Sequence, residues 1–255
     1  MGVRLKSDPH TDSQWARPRT PHRGAERRIA TWPFGVKRAL SPSGIVLADK
    51  PAGPSSFALV AALRRRTGAR TGHAGTLDPF ATGLLLLLSG ASTRLQPRFV
   101  GLDKRYLTEI DLTATTTTGD PEGEIVAEHE APSRAELEER LAGIRGTVEL
   151  TIPAASAVKI EGERAYRLHR RGVAVDMPLR RMQVHELELE DYTDGVARFN
   201  MLVSSGTYVR AIGEALGGHC RTLRRTEIGP FSVEEADWDR IIPPEQALAR
   251  LGELS

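Results

Sequence analysis

Asp78 stands in a stretch suited to holding one reactive group in place. Residues Gly72-His73-Ala74-Gly75-Thr76-Leu77-Asp78-Pro79-Phe80-Ala81-Thr82-Gly83 combine three glycines, a proline, a histidine and a single carboxylate. The glycines allow backbone angles that other residues resist and let a ligand approach closely. Pro79 fixes the backbone after Asp78 and biases Asp78 itself toward an extended conformation. Leu84 to Leu88 follow without a charge, bounded by Gly83 and by Ser89-Gly90, and read as a strand buried on both faces. A rigid loop on the edge of a core strand is a mount for one reactive carboxylate. The plainer alternative is an Asp that only caps a turn, as most loop aspartates do.

Other chemistries find less support. No second carboxylate sits in a comparable phrase, which ranks a hydrolase with paired carboxylates lowest. The chain has neither a dinucleotide fingerprint nor a P-loop, and no cluster with metal-ligand spacing, so no cofactor and no metal are expected. Cys220 is the only cysteine, which excludes an intramolecular disulfide and a Cys-based metal site and fits a reducing cytoplasm. No apolar run approaches the ~18–20 residues that span a membrane, and no secretory signal opens the chain. With 255 residues, 40% hydrophobic and 27% charged, the composition fits one large globular domain or two small ones. The formal net charge is only +2, but the arginines are clustered, and clustering makes the electrostatic footprint of a nucleic-acid partner.

The elements that must position Asp78 are legible on both sides of it. Residues 1–42 are rich in Arg, Pro, Ser and Thr with few periodic apolar positions, and read as a disordered basic arm. Gly44 to Pro51 reads as a short buried strand, and Ser55 or Ser56 caps a helix that carries Leu59, Val60 and Leu63 inward. Arg64, Arg65 and Arg66 end that helix before Gly68, where they complement its dipole and can meet phosphate. Ala91 to Val100 reads as a helix. Lys104 to Leu112 alternates as a strand with Tyr106, Thr108, Ile110 and Leu112 on one face. Thr115 to Gly123 is a polar loop in which Asp120 caps a turn or contacts RNA or neighbouring loops. Ser133 to Glu136 is a capping box. Strands are expected at about Met182–Leu189 and Val196–Val203.

Several of these phrases together resemble one family. GHAGTLDPFATGLLLLLSGAST is similar to the signature of the TruB-type tRNA pseudouridine synthases, roughly GH-x-G-x-LDP-x-A-x-G followed by apolar residues and G-x-(A)-T. Lys104-Arg105-Tyr106, the threonine-rich loop closed by Gly123, Pro153 to Tyr166 and Ser204 to Arg210 resemble further elements of that family, and Leu223 to Phe231 resembles one of its strands. Ala155 departs from the aromatic the family often has there. The resemblance covers about residues 43–235.

The resemblance implies an α+β pseudouridine synthase fold: a mixed, largely antiparallel sheet with flanking helices and a basic RNA cleft. It implies a catalytic domain over residues 43–237, and a tail over 238–255 too short for the RNA-binding domain, of PUA type, that bacterial relatives commonly add. The implied reaction isomerises uridine 55 in the T-arm loop of tRNA to pseudouridine, on a base flipped out of the RNA, in a monomeric enzyme without metal. Asp78 would be the catalytic carboxylate. Arg210 would orient it and hold it ionised, an Arg fork being suited to a bidentate pair. Tyr106 would stack on the flipped uracil and help move the proton from C5. Tyr208 and Leu223 would line the pocket, and His73 would hold the flipped-out RNA. Lys50, Arg64 and Lys159 are candidate phosphate contacts. A non-catalytic RNA-binding protein or RNA chaperone on the same scaffold is the alternative, and the joint presence of Asp78, Tyr106 and Arg210 argues against it.

Overall fold

A computed structural model describes residues 43–252 of the chain; the basic arm expected over residues 1–42 lies outside them. In chain order the strands are β1 (Gly44–Lys50), β2 (Thr71–His73), β3 (Thr82–Ser89), β4 (Lys104–Asp111), β5 (Ala114–Thr116), β6 (Ile125–Glu128), β7 (Gly146–Thr151), β8 (Lys159–Ile160), β9 (Glu163–Arg164), β10 (Leu179–Thr193), β11 (Val196–Val203), β12 (His219–Ile228) and β13 (Phe231–Ser232). The helices are α1 (Ser56–Thr67), α2 (Gln96–Val100), α3 (Arg134–Ala142), α4 (Ala165–Arg170), α5 (Val209–Ala215) and α6 (Pro244–Gly252).

Nine strands share one sheet, whose path runs β1-β3-β12-β4-β11-β10-β7, with β2 on β3 and β13 on β12. Its pairings are antiparallel except for β3 with β12, which run parallel with Thr82 opposite Arg224 and Gly83 opposite Arg225. The sheet is therefore mixed and largely antiparallel, with helices packed on it, as the sequence leads one to expect. The parallel pairing lies where the Asp78 loop enters β3. Gly83 has φ +103°, and a Cβ there would run into the Arg225 carbonyl oxygen, so glycine lets the two strands meet.

The leucine run is buried on both faces because each face has a cover. Leu84, Leu86 and Leu88 join Ile45, Leu47, Phe99, Ile228 and Phe231 in one core cluster. Leu85 and Leu87, on the opposite face by strand alternation, are buried as well, and α1 packs against this strand. A second cluster gathers Tyr106 and Ile110 of β4, Phe199 and Met201 of β11, and Ile212 of α5. On β4 the alternation is strict: Lys104, Tyr106, Thr108 and Ile110 are buried and the residues between them are half-buried.

Local capping follows the sequence. Ser55 caps α1 by accepting from the Ala58 amide, and Gly68 closes it in the left-handed region at φ +65°. Ser133 and Glu136 form the reciprocal box that opens α3.

Four segments differ from expectation. Ala91–Val100 is a 3₁₀ turn over Gly90–Leu95 followed by α2 rather than one helix. Pro97 has no N–H for an i−4 carbonyl and so fits only a first helical turn. β10 runs from Leu179 to Thr193, longer than expected, because two register shifts break its alternation. The strand expected to reach Phe231 turns at Gly229-Pro230 and returns as β13. Residues 238–252, expected only as a short tail, pack on the domain: Ile45 and Ile242 exchange backbone hydrogen bonds at 2.9 and 2.8 Å, and Trp238, Ile242 and Ala247 are buried. In α6, Ala247, Leu248 and Leu251 recur at helical spacing and pack with Ile242 against the cluster of Ile45, Leu47 and Phe231. No helix among the described residues is long and apolar enough to cross a membrane.

Candidate active site

The Asp78 loop is held from three sides. From α1, Ser56 Oγ donates to the Leu77 carbonyl at 2.9 Å and accepts from the Leu77 amide at 2.8 Å. From the end of β1, Lys50 Nζ donates to the carbonyls of Ala81 at 2.6 Å, Pro79 at 3.1 Å and Pro51 at 3.0 Å. From β12, the Arg225 guanidinium donates to the carbonyls of Leu84 at 2.8 Å, Gly75 at 3.1 Å and Thr76 at 3.4 Å. The residues before and after Asp78 are thus tied to three different elements, which leaves its side chain little choice of direction.

That side chain looks into a solvent-open cavity of about 270 Å³. Asp78, Tyr106, Tyr208, Arg210, Leu223 and Arg225 are among its lining residues. Arg210, in the first turn of α5 and 3% exposed, donates from Nε to Asp78 Oδ2 at 3.0 Å. Its Nη1 donates to the Thr118 carbonyl at 2.6 Å and lies 3.3 Å from Asp120 Oδ2, and its Nη2 donates to the Ala155 carbonyl at 2.9 Å. The expected two-pronged grip on Asp78 is therefore not what forms. The fork is shared among two carboxylates and two carbonyls, because the polar loop and the Pro153–Lys159 stretch both converge on it.

This network sets the electrostatics. Burial pushes the Asp78 carboxyl above its usual range; Arg210 opposes that and Asp120 adds to it. Arg210 fixes the carboxylate and lowers its pKa, but burial outweighs it. Burial, with the Arg225 charge second, holds the His73 imidazole below its ordinary value, which favours the neutral ring. Burial also lowers Lys50 to about 8, against an upward pull from Asp78.

A match to known proteins decides the family. Residues 64–209 fit the model described as "TruB family pseudouridylate synthase (N terminal domain)". The chain belongs to the TruB family. It is 41% identical over 219 residues to the "tRNA pseudouridine synthase B" of Corynebacterium jeikeium (strain K411), covering 79% of this chain and 71% of that protein. To the protein of the same name from Bordetella avium (strain 197N) it is 38% identical over 235 residues, covering 86% and 96%. Among solved structures it is similar to a chain of a Cbf5-Nop10-Gar1 complex, with TM-score 0.56 and 27% identity over 74% of this chain and 50% of that one. It spans about half the length of that chain.

Against the TruB pattern, the residues singled out from the sequence fall into three groups. Asp78, Arg210, Tyr106, Tyr208 and Leu223 come together around the cavity. Tyr106 belongs to the core cluster and to the cavity wall at once. Tyr208 sits just before α5 with the Arg180 guanidinium 5.7 Å above its ring. His73 lies outside the cavity lining, on β2, with its ring edge-on to Phe57 at 5.2 Å. Arg64 and Lys159 are surface cations, at the end of α1 and on the β8–β9 hairpin.

Lys50 is the clear correction. It is fully buried and its ammonium is spent on three carbonyls of the Asp78 loop and its flank, so it is a clamp on that loop and not a phosphate contact.

Two residues tied to the Asp78–Arg210 pair and its loop are not among the expected catalytic or substrate-binding residues. Asp120 was weighed as a cap or an RNA contact. It does cap its turn, accepting from Thr118 Oγ1 at 2.6 Å and the Glu122 amide at 3.0 Å, and its other oxygen faces Arg210. Arg225 is buried beneath the loop. Strand parity was the available signal: it shares a face with Leu223, whereas Arg224 points the other way, to Asp49 at 2.9 Å.

The ring of Tyr106 is expected to matter more for the reaction than for the fold. Tyr106→Phe keeps the packing and removes the hydroxyl, so turnover should fall strongly while RNA binding and thermal stability hold. Tyr106→Leu should impair binding as well, since base–aromatic stacking contributes ~1–3 kcal/mol. Single-turnover rates and filter binding measure both, and wild-type rates in both variants would leave Tyr106 a core residue only.

Proposed function

We propose that this protein isomerises uridine 55 in the T-arm loop of tRNA to pseudouridine, with Asp78 as the catalytic carboxylate. The observation that carries the reading is the clamped Asp78 facing a cavity walled by Tyr106, Tyr208 and Leu223 and paired to Arg210. The names of the TruB relatives supply the substrate class.

The reaction cleaves the bond from C1′ to N1, turns the uracil and joins C1′ to C5, with the C5 proton lost to a base and N1 reprotonated. Atoms balance without any co-reactant. Asp78 acts as a nucleophile or stabilises positive charge developing at the sugar. Arg210 and the Ser56, Lys50 and Arg225 clamps hold it against that position. The uracil leaves the RNA stack, as bases do for enzymes that act on them, and packs on Tyr106 with Tyr208 and Leu223 around it. Tyr106 helps move the C5 proton, His73 supports the flipped-out RNA, and Arg64 and Lys159 meet phosphates.

All these groups come from one chain, so a single chain suffices to build the site, and the enzyme is proposed to act as a monomer. The lone buried thiol of Cys220 fits a reducing cytoplasm.

If the loop uridine and its stem are what the cavity recognises, a T-arm hairpin should be converted nearly as well as full tRNA. Comparing kcat/KM on the two substrates tests this. A large preference for full tRNA would move recognition away from the T-arm.

A further inference from the structure

The cavity wall contains a polar side chain that the chemistry above does not use. Ser156 lines the cavity beside Ala157 and is 4% exposed. Its Oγ is buried and has no hydrogen-bond partner among the described residues. The backbone around it is satisfied. The Ala155 carbonyl accepts from Arg210 Nη2 at 2.9 Å, and the Ser156 carbonyl accepts from the Tyr166 amide at 3.0 Å. The main chain is thus pinned between the arginine that holds Asp78 and the start of α4, while the hydroxyl is left over. A buried hydroxyl without a partner weakens the free protein, and a turn about χ1 as the ligand enters would bring this one from the cavity wall to a partner on the ligand.

The surroundings indicate which part of the ligand that is. Tyr106, Tyr208 and Leu223 offer flat and apolar surface, suited to a base. Asp78 must meet C1′, so the sugar lies beside the Asp78–Arg210 pair, and the Ala155 contact places Ser156 next to that pair. A serine hydroxyl both donates and accepts, as a ribose hydroxyl does, and in an internal nucleotide the 2′-hydroxyl is the free one. We propose that Ser156 Oγ hydrogen-bonds the 2′-hydroxyl of the target nucleotide and so helps the enzyme select RNA over DNA at that position. The inference rests on the RNA-substrate reading above.

The test compares wild type with Ser156→Ala on a T-arm hairpin. The variant should keep its melting temperature or gain up to about 4 °C, while kcat/KM falls about tenfold, the size of one hydrogen bond. A serine that only supports the fold would do the reverse, lowering the melting temperature and leaving kcat/KM alone. In the Asp78→Asn background, where no turnover disturbs binding, Kd is measured for hairpins with uridine or 2′-deoxyuridine at the target position. Asp78→Asn should prefer the ribose form by about tenfold, and adding Ser156→Ala should remove that preference. A preference that survives the added substitution overturns the assignment. Wild-type protein run in parallel separates two failures. If it forms no pseudouridine, the functional reading fails. If it does and Ser156→Ala matches it, only the role of Ser156 fails.

Discussion

Asp78→Asn is expected to form no detectable pseudouridine while binding tRNA within about tenfold of wild type, because phosphate contacts dominate affinity for nucleic acid. The substitution keeps the shape and removes the charge. The amide oxygen can still accept from Arg210 Nε, and the flanking clamps at Ser56, Lys50 and Arg225 act on main-chain atoms that the change does not touch. Fold and cleft therefore stay, and only the reacting group is lost. Near-wild-type turnover in this variant would remove Asp78 from its role.

The same carboxylate gives the wild-type enzyme a pH dependence. Its pKa is raised by burial, so the reactive ionised form is lost, as pH falls, at a higher pH than an exposed Asp near ~3.9 would show. Activity should rise with pH across an acid limb above the ordinary carboxylate range, and a limb at or below that range would contradict the burial described here.

Arg210→Met is expected to lose activity by about a thousandfold and to lower stability by about 3–5 kcal/mol. The arginine is almost wholly buried between Asp78 and Asp120, and both carboxylates would then face each other without their shared cation. Glu122 and Glu214, already pushed upward chiefly by burial and with Arg210 pulling each of them down, would lose that pull too. Arg210→Lys should recover part of the stability and little of the rate. It restores a charge but not the planar fork that serves Asp78, Asp120, Thr118 and Ala155 together. Urea unfolding and single-turnover kinetics read the two effects separately. An active, stable Arg210→Met protein would show that the pair is incidental.

The parts of the site that could be read in the sequence are those carried by local phrases. The Asp78 loop, the leucine strand, the Tyr106 strand and the start of α1 each declare themselves within a dozen residues, through glycines, alternation or caps. Their meeting at one cavity was legible only through the resemblance of several phrases at once. Asp120 and Arg225 escaped because their importance depends on long-range convergence. Asp120 meets an arginine ninety residues later, and Arg225 meets a loop 150 residues earlier. Lys50 escapes for a related reason: a lysine at the end of a strand reads as exposed unless one knows that three carbonyls close over it. The longer β10 and the broken end of β12 were hidden by bulges and by Gly229-Pro230, which disturb the period of two on which strand reading depends.

The central claim is that this chain makes pseudouridine in the T-arm loop, and the most direct measurement is the product itself. Unmodified tRNA transcript is incubated with the protein, derivatised with carbodiimide and read by primer extension. One new stop is predicted at uridine 55, present with wild type and absent with Asp78→Asn. No stop with wild-type protein, or stops scattered over uridines outside the T-arm loop, would contradict it.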